Sequence, residues 1–254
     1  MKNLFSSLLS LMVMVALIFS TTACAQDEDR EWKPEDTEYY EPVPPKVTPQ
    51  GNYFLQPPSD ATVLFDGKDM NSWESVNGGD VKWQVSDGKV TVVEGTGAIR
   101  TKDVFDSFQL YLEWQSPGNM EHTGQDRGNS GVFLQGIYEV QVLDVWENET
   151  YVNGMAGSVY KQNPPLANVS IKPGGWNSYN ISYSAPEFNE DGSLVKPAYV
   201  TVVWNGVIVQ NNFEIQGDTP YIGLPEYTAH GAGPIMLQDH NSKVSYRNIW
   251  IREL

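Results

Sequence analysis

The strongest constraint on this chain is a period-two alternation of apolar and polar residues, repeated in short segments and broken by glycine, asparagine, aspartate or proline from residue 59 onward. Successive side chains of a strand point to opposite faces, so such segments predict half-buried β-strands. Val81–Val85, Lys89–Val93, Phe108–Trp114, Val132–Leu143, Trp176–Tyr183, Val200–Val209 and Val244–Arg252 carry the pattern most clearly. Asp87-Gly88 and Asn205-Gly206 lie between such runs, and these pairs accept the positive φ of type I′ hairpin turns. No amphipathic helix longer than about two turns stands out. The expectation is an all-β, two-sheet sandwich of jelly-roll type.

Length and charge narrow the function classes. The 254 residues suffice for one large domain after removal of a leader. A formal net charge of −16, with no basic cluster, repels a phosphate backbone and argues against nucleic acid as a partner. The one cysteine, Cys24, forms no internal disulfide, and neither a CxxC nor a Cys/His zinc spacing is present. No nucleotide-binding glycine motif is convincing, so no nucleotide cofactor is expected.

The N-terminus has the three-part form of an export signal: Lys2, an apolar run from Leu8 to Phe19, and the small residues Ser20 to Ala25. Two processing routes stay open. Ala23-Cys24-Ala25 suits cleavage after Ala25, whereas Thr21-Thr22-Ala23-Cys24 resembles a loose lipobox that would place a lipid on Cys24. The acidic Asp27-Glu28-Asp29 behind it favours the second, and that lipid would be the only membrane contact. Either route places the protein in the cell envelope, in the periplasm or anchored at the outer membrane. Residues 26–58, rich in proline and acid, read as a leader or tether, although Trp32, Tyr39 and Tyr40 are rings that can dock on the domain that follows, residues 59–254.

Polar side chains that alternation turns away from the core mark a candidate groove. In Tyr138-Glu-Val-Gln-Val-Leu-Asp144, Tyr138, Val140 and Val142 share one face and Glu139 and Gln141 the other. Asp144 joins Glu139 only if a bulge inserts one residue; solvent exposure of this face is the alternative. The preceding glycine-rich stretch offers Arg127, a planar fork for oxygen ligands, and Asn129, while a surface pairing of Arg127 with Asp126 or Glu121 remains open. Near the C-terminus, Met236, Gln238 and His240 alternate with Ile235, Leu237 and Asp239, so Gln238 and His240 can enter one cleft. His230 lies nearby, and a neutral imidazole can move a proton or bind a metal. Trp146 and Tyr160 can stack on a sugar or pack in the core.

LFDGKDMNSW (64–73), RGNSGVFLQGIYEVQVLD (127–144), NETYVNGMAGSVYKQNPPLANV (148–169), NGVIVQ (205–210) and LQDH with YRNIWIREL (237–254) carry a resemblance. Over residues 59–254 the chain resembles the 3-keto-disaccharide hydrolase family, once a domain of unknown function loosely labelled glycosyl hydrolase. The resemblance implies a concanavalin-like jelly roll whose concave face cleaves, or hydrates the elimination product of, glycosides already oxidised at carbon 3. It further implies a separate sugar 3-dehydrogenase to supply that substrate. Glu139, Asp144 and His240 are then the candidate proton movers, and equally the candidate ligands of a divalent ion whose identity the spacing does not name. Arg127, Asn129, Gln141, Trp146, Tyr160, His230 and Gln238 are candidate substrate or oxyanion binders. Two alternatives stand beside this reading. Glu139-x-Gln141-x-x-Asp144 resembles the E-x-D-x-x-E motif of jelly-roll glucanases, with its middle acid replaced by Gln141 and its last shortened to Asp144. A non-catalytic carbohydrate-binding module is the other.

Overall fold

The computed structural model describes residues 30–119 and 121–254, so the expected export signal and Cys24 lie outside the described residues. Among these, fifteen strands, β1 to β15 in chain order, and three short 3-10 turns make up the regular structure. The larger sheet runs β13 (Val207–Glu214), β12 (Tyr199–Trp204), β9 (Trp176–Ser184), β6 (Phe108–Gln115), β15 (Ser245–Glu253), β4 (Lys89–Thr91), β3 (Gln84–Ser86), with β1 (Thr62–Phe65) also on β15. The smaller sheet runs β2 (Trp73–Ser75), β5 (Ile99–Thr101), β14 (Met236–Leu237), β7 (Ser130–Leu134), β8 (Tyr138–Val142). A separate hairpin joins β10 (Glu187–Phe188) to β11 (Leu194–Lys196). Every strand pairing is antiparallel, and the two sheets form the concanavalin-like jelly-roll sandwich expected from the sequence.

The core lies between the sheets. Leu110, Leu112 and Trp114 of β6, Tyr179 and Ile181 of β9, and Val200, Val202 and Trp204 of β12 share one buried cluster with Val132, Leu134, Tyr138, Val140 and Val142 of the smaller sheet. Burial of such a side chain contributes roughly 1.5–3 kcal/mol, so a one-residue slip of β12, which would turn three of them outward, is strongly disfavoured.

Both hairpin signals are used as such: Asp87 and Gly88 (φ 51° and 73°) join β3 to β4, and Asn205 and Gly206 (φ 50° and 81°) join β12 to β13. The long strand expected over Val132–Leu143 is instead a hairpin. Gln135 (φ 53°) and Gly136 (φ 73°) reverse the chain between β7 and β8, pairing Leu134 with Tyr138. A Cβ at Gly136 would meet nothing closer than 3.6 Å, so it is the positive φ, not crowding, that asks for glycine there.

The leader from Trp32 belongs to the same compact unit as the sandwich. Lys46 forms a parallel bridge with Asn168, and Asn153 clamps the leader by accepting from the Tyr39 amide (2.9 Å) and donating to the Thr37 carbonyl (2.9 Å). Further on, the Leu55 amide donates to the Tyr111 hydroxyl (2.9 Å) and the Leu55 carbonyl accepts from Asn248 (2.8 Å). This cover explains why Tyr111 and Glu113, on the outer face of β6, are buried. Glu113 is fully partnered there, accepting from Arg247 (2.6 Å), Asn248 (2.8 Å) and the Tyr111 hydroxyl (3.2 Å).

Candidate functional site

The two residues that alternation placed side by side, Glu139 and Gln141, lie on the face of β8 turned away from the sandwich core. Directly across on β7 stand Phe133, opposite Glu139, and Gly131, opposite Gln141. A Cβ added at Gly131 would lie 2.2 Å from Glu139 Oε1, so the bare glycine is what leaves room for the carboxyl to lie over β7. On the other side of β7, the Gln238 amide donates to the Gly131 carbonyl (3.0 Å), extending the ladder one residue past β14. Gln238 therefore arrives beside the same glycine, and Asp239 turns to accept from the Gly97 amide (2.9 Å).

These elements enclose a cleft of about 230 Å³ lined by Asn129, Phe133, Glu139, Gln141, Tyr160, Thr219, Tyr221, Gln238 and His240. Six of the ten residues singled out in the sequence thus meet in one place: Glu139, His240, Asn129, Gln141, Tyr160 and Gln238. A larger hollow of about 720 Å³ lies between the leader and residues 145–155, but its carboxylates, Glu41, Glu147 and Glu149, are exposed.

The electrostatics centre on Glu139. It is 5% exposed, and among the described residues its carboxyl has no hydrogen-bond partner. Burial alone pushes its pKa up to about 8, because the charged form loses water and gains no counter-charge. Its backbone is held on both sides: the amide donates to Thr219 Oγ1 (3.1 Å) and the carbonyl accepts from the Tyr160 amide (3.1 Å). Burial likewise raises the Tyr160 phenol to about 12, and its hydroxyl is 2.8 Å from that of Tyr151. Gln238 Oε1 is buried without a partner among the described residues, an acceptor free for a ligand hydroxyl. Gln141 is more committed: its Nε2 donates to Gln125 Oε1 (3.2 Å) and the Gly154 carbonyl (3.3 Å). Asn129 Nδ2 donates to the Gln125 carbonyl (2.8 Å), which fixes the amide plane at the cleft wall.

The other four predicted residues sit elsewhere, each for a visible reason. No bulge brings Asp144 back to Glu139; β8 ends at Val142, and Asp144 turns to Arg127, whose Nε lies 3.1 Å from Oδ2 and whose Nη2 is 3.3 Å from Oδ1. Arg127 is consequently neither a ligand fork in the cleft nor a surface partner of Asp126 or Glu121, but one half of a buried ion pair. Trp146 is capped by Lys46, whose Nζ lies 3.6 Å from the ring centroid, and lines a different hollow with Tyr53 and Lys172. His230 lies on the opposite side of the sheet, with Nε2 2.6 Å from the hydroxyl of the core-facing Tyr138.

The metal set named in the sequence, Glu139, Asp144 and His240, does not assemble, because Asp144 is committed to Arg127. Among the described residues no group of three or more His, Cys, Asp or Glu side chains converges to hold an ion. Phe133, Thr219 and Tyr221 line the cleft without having been singled out. Phe133 was readable, since it shares the alternation of its strand with Gly131. Thr219 and Tyr221 come from an irregular loop that carries no periodic signal.

Comparison with known proteins adds the following. The family described as a 3-keto-alpha-glucoside-1,2-lyase-like domain matches residues 60–252. A crystal structure from Parabacteroides distasonis ATCC 8503, provisionally named a glycosyl hydrolase, is 55% identical with a TM-score of 0.78, covering 87% of this chain and 96% of that one. A second protein of that organism under the same provisional name is 27% identical, with a TM-score of 0.57 over 77% of this chain and 94% of its own. A third, 24% identical with a TM-score of 0.50, covers 72% of this chain and all of its own, and shows the shared fold. No curated protein matches.

Proposed function

The chain belongs to the 3-keto-alpha-glucoside-1,2-lyase-like family of carbohydrate-active proteins, and from that premise we propose that it is an exported enzyme that cleaves or hydrates glycosides already oxidised at carbon 3. One observation carries the reading: Glu139 is the single carboxyl among the residues that line the cleft, it is desolvated, and its carboxyl has no hydrogen-bond partner among the described residues. Retaining hydrolysis of an unmodified glycan needs two carboxyls about 5–5.5 Å apart. Elimination next to a ketone needs one base.

The chemistry follows from the ketone. A carbonyl at carbon 3 acidifies the hydrogen on carbon 2, and the Glu139 carboxylate accepts that proton as the C2–H bond breaks. Its raised pKa makes it a stronger base than a solvated glutamate. The electron pair enters the enolate oxygen, where the Asn129 and Gln238 amides are the neighbouring polar groups suited to stabilise charge. As the carbonyl re-forms, the C1–O bond breaks, a double bond forms between carbons 1 and 2, and His240 protonates the departing oxygen. The product is a 2-hydroxy-3-keto-glycal; addition of water across the same double bond completes net hydrolysis. The unpaired Gln238 Oε1 accepts a sugar hydroxyl, and Tyr160 and Tyr221 offer rings to its apolar face. No step is routed through a metal ion. On this reading a separate sugar 3-dehydrogenase supplies the keto group.

The test is incubation of the purified protein with a 3-keto-glucoside and with its unoxidised parent. Product is expected from the keto form only, and His240→Ala is expected to slow it at least about tenfold. Equal turnover of the parent would make the protein an ordinary glycosidase, and binding without turnover of either would make it a binding module.

A further inference from the structure

Lys161 takes no part in the chemistry just described, yet it is a buried cation immediately behind the cleft wall. Its side chain is 3% exposed, and its Nζ donates to two carbonyls from distant parts of the chain, Pro34 in the leader (2.6 Å) and Tyr221 (2.9 Å). Glu38 Oε1, itself on an almost buried side chain, lies 3.8 Å away. The ammonium also sits 4.9 Å from the Tyr221 ring centroid and 5.9 Å from that of Tyr160, both of which line the cleft. Its backbone has φ 57°, a left-handed conformation that a lysine keeps only when its surroundings hold it there. The neighbouring Gln162 grips the same loop, donating to the carbonyls of Gly217 (3.0 Å) and Asp218 (2.8 Å) and accepting from the Gln216 amide (2.8 Å). That loop carries Thr219, which accepts from the Glu139 amide, and Tyr221.

We propose that Lys161 is a positioning residue that pins the Gln216–Tyr221 loop to the leader, so that the leader segment Pro34–Glu38 braces the substrate-binding wall from behind and is not a mere tether. The inference rests on the cleft being the substrate site. Burying an ammonium is unfavourable unless its donors are met, and here they are met only when leader and loop are both in place. Loss of the pin frees Tyr221, a wall residue, while Gln162 still holds residues 216–218 next to Thr219 and the Glu139 carboxyl stays over Gly131. Binding suffers before chemistry.

The experiment compares wild type, Lys161→Met and Lys161→Arg in the full chain by steady-state kinetics on a 3-keto-glucoside and by hydrogen exchange of residues 216–222 without substrate. Lys161→Met is expected to raise KM about tenfold with kcat within about twofold, and Arg to recover most of the KM, because only wall binding is lost. Exchange across 216–222 is expected to quicken in Met and return toward wild type in Arg. Unchanged exchange, or a fall in kcat at constant KM, would overturn the proposal. If Lys161→Met does not fold, Glu38→Gln decides: a KM raised about threefold at constant kcat supports the pin, and wild-type KM and exchange overturn it. Should wild type leave the keto-glucoside untouched, the reading of the cleft fails, while the exchange data still decide the pin.

Discussion

Two carboxyls five residues apart, Glu139 on β8 and Asp144 just beyond its end, meet opposite fates. Both side chains are buried. Asp144 is held by partners: its Oδ1 accepts from Arg127 Nη2 (3.3 Å) and the Trp146 amide (3.0 Å), and the charged Arg127 Nε lies 3.1 Å from Oδ2. Burial leaves its pKa raised, and the Trp146 amide and Arg127 offset part of that rise. Glu139 has the burial and none of the donors, and its pKa moves to about 8. Glu113, across the sandwich, follows the pattern of Asp144, with three donors closing around it. A buried carboxyl with partners holds loops together; one without partners opening into a cleft is a base in waiting. On the proposed reading, the difference separates a structural acid from a chemical one within a short stretch of sequence.

The contrast is broken most directly by Glu139→Gln, which keeps the shape and removes the base. Turnover of a 3-keto-glucoside is expected to fall about 10³-fold with the fold intact by circular dichroism. Asp144→Ala should do the reverse. Leaving Arg127 buried and unpaired costs roughly 3–5 kcal/mol in denaturant unfolding, with kcat/KM of the folded protein within about threefold of wild type. Should Asp144→Ala stay stable and lose turnover, the two acids act together and the contrast collapses.

Stability against pH sharpens the same comparison. A carboxyl whose pKa is about 8 when folded and near 4.5 when unfolded binds its proton more tightly in the native state. Wild type should therefore lose stability as pH rises from about 4.5 to 8, and Glu139→Gln should not, the gap reaching about 3 kcal/mol at pH 7. With Glu139 as base, kcat/KM should climb through pH 8; a fall there would make it an acid. The smallest effect is expected from Gly131→Ala. Its methyl displaces the Glu139 carboxyl and lowers kcat/KM about tenfold, with less than about 2 kcal/mol lost in stability.

Much of this was open to reading. Asp87-Gly88 and Asn205-Gly206 declared their turns because positive φ is a property of the residue pair itself. Gln135-Gly136 makes the same kind of turn but hides inside an apolar run, which made two strands look like one. Glu139 with Gln141, and Gln238 with His240, were paired correctly by period two, and all four line the cleft. Asp144 joins Glu139 in the sequence reading only through a bulge that the structure lacks; its partner is Arg127, 17 residues earlier, and no spacing rule predicts which of several carboxylates an arginine will reach. The docking of the leader was equally hidden, since its proline-rich composition describes a chain that forms no regular structure, not one that has nothing to lie against.

The sequence by itself determined the longer strands, their inward and outward faces, the two turns at Asp87-Gly88 and Asn205-Gly206 and several of the residue types that border the groove, because each depends on the local stereochemistry of a few consecutive residues. Only the tertiary structure decided which carboxyl stays unpaired, which tyrosines wall the cleft and what Lys161 holds. Those outcomes depend on water exclusion and on partners contributed by remote segments, and a pKa or a hydrogen bond exists only once those segments are in place.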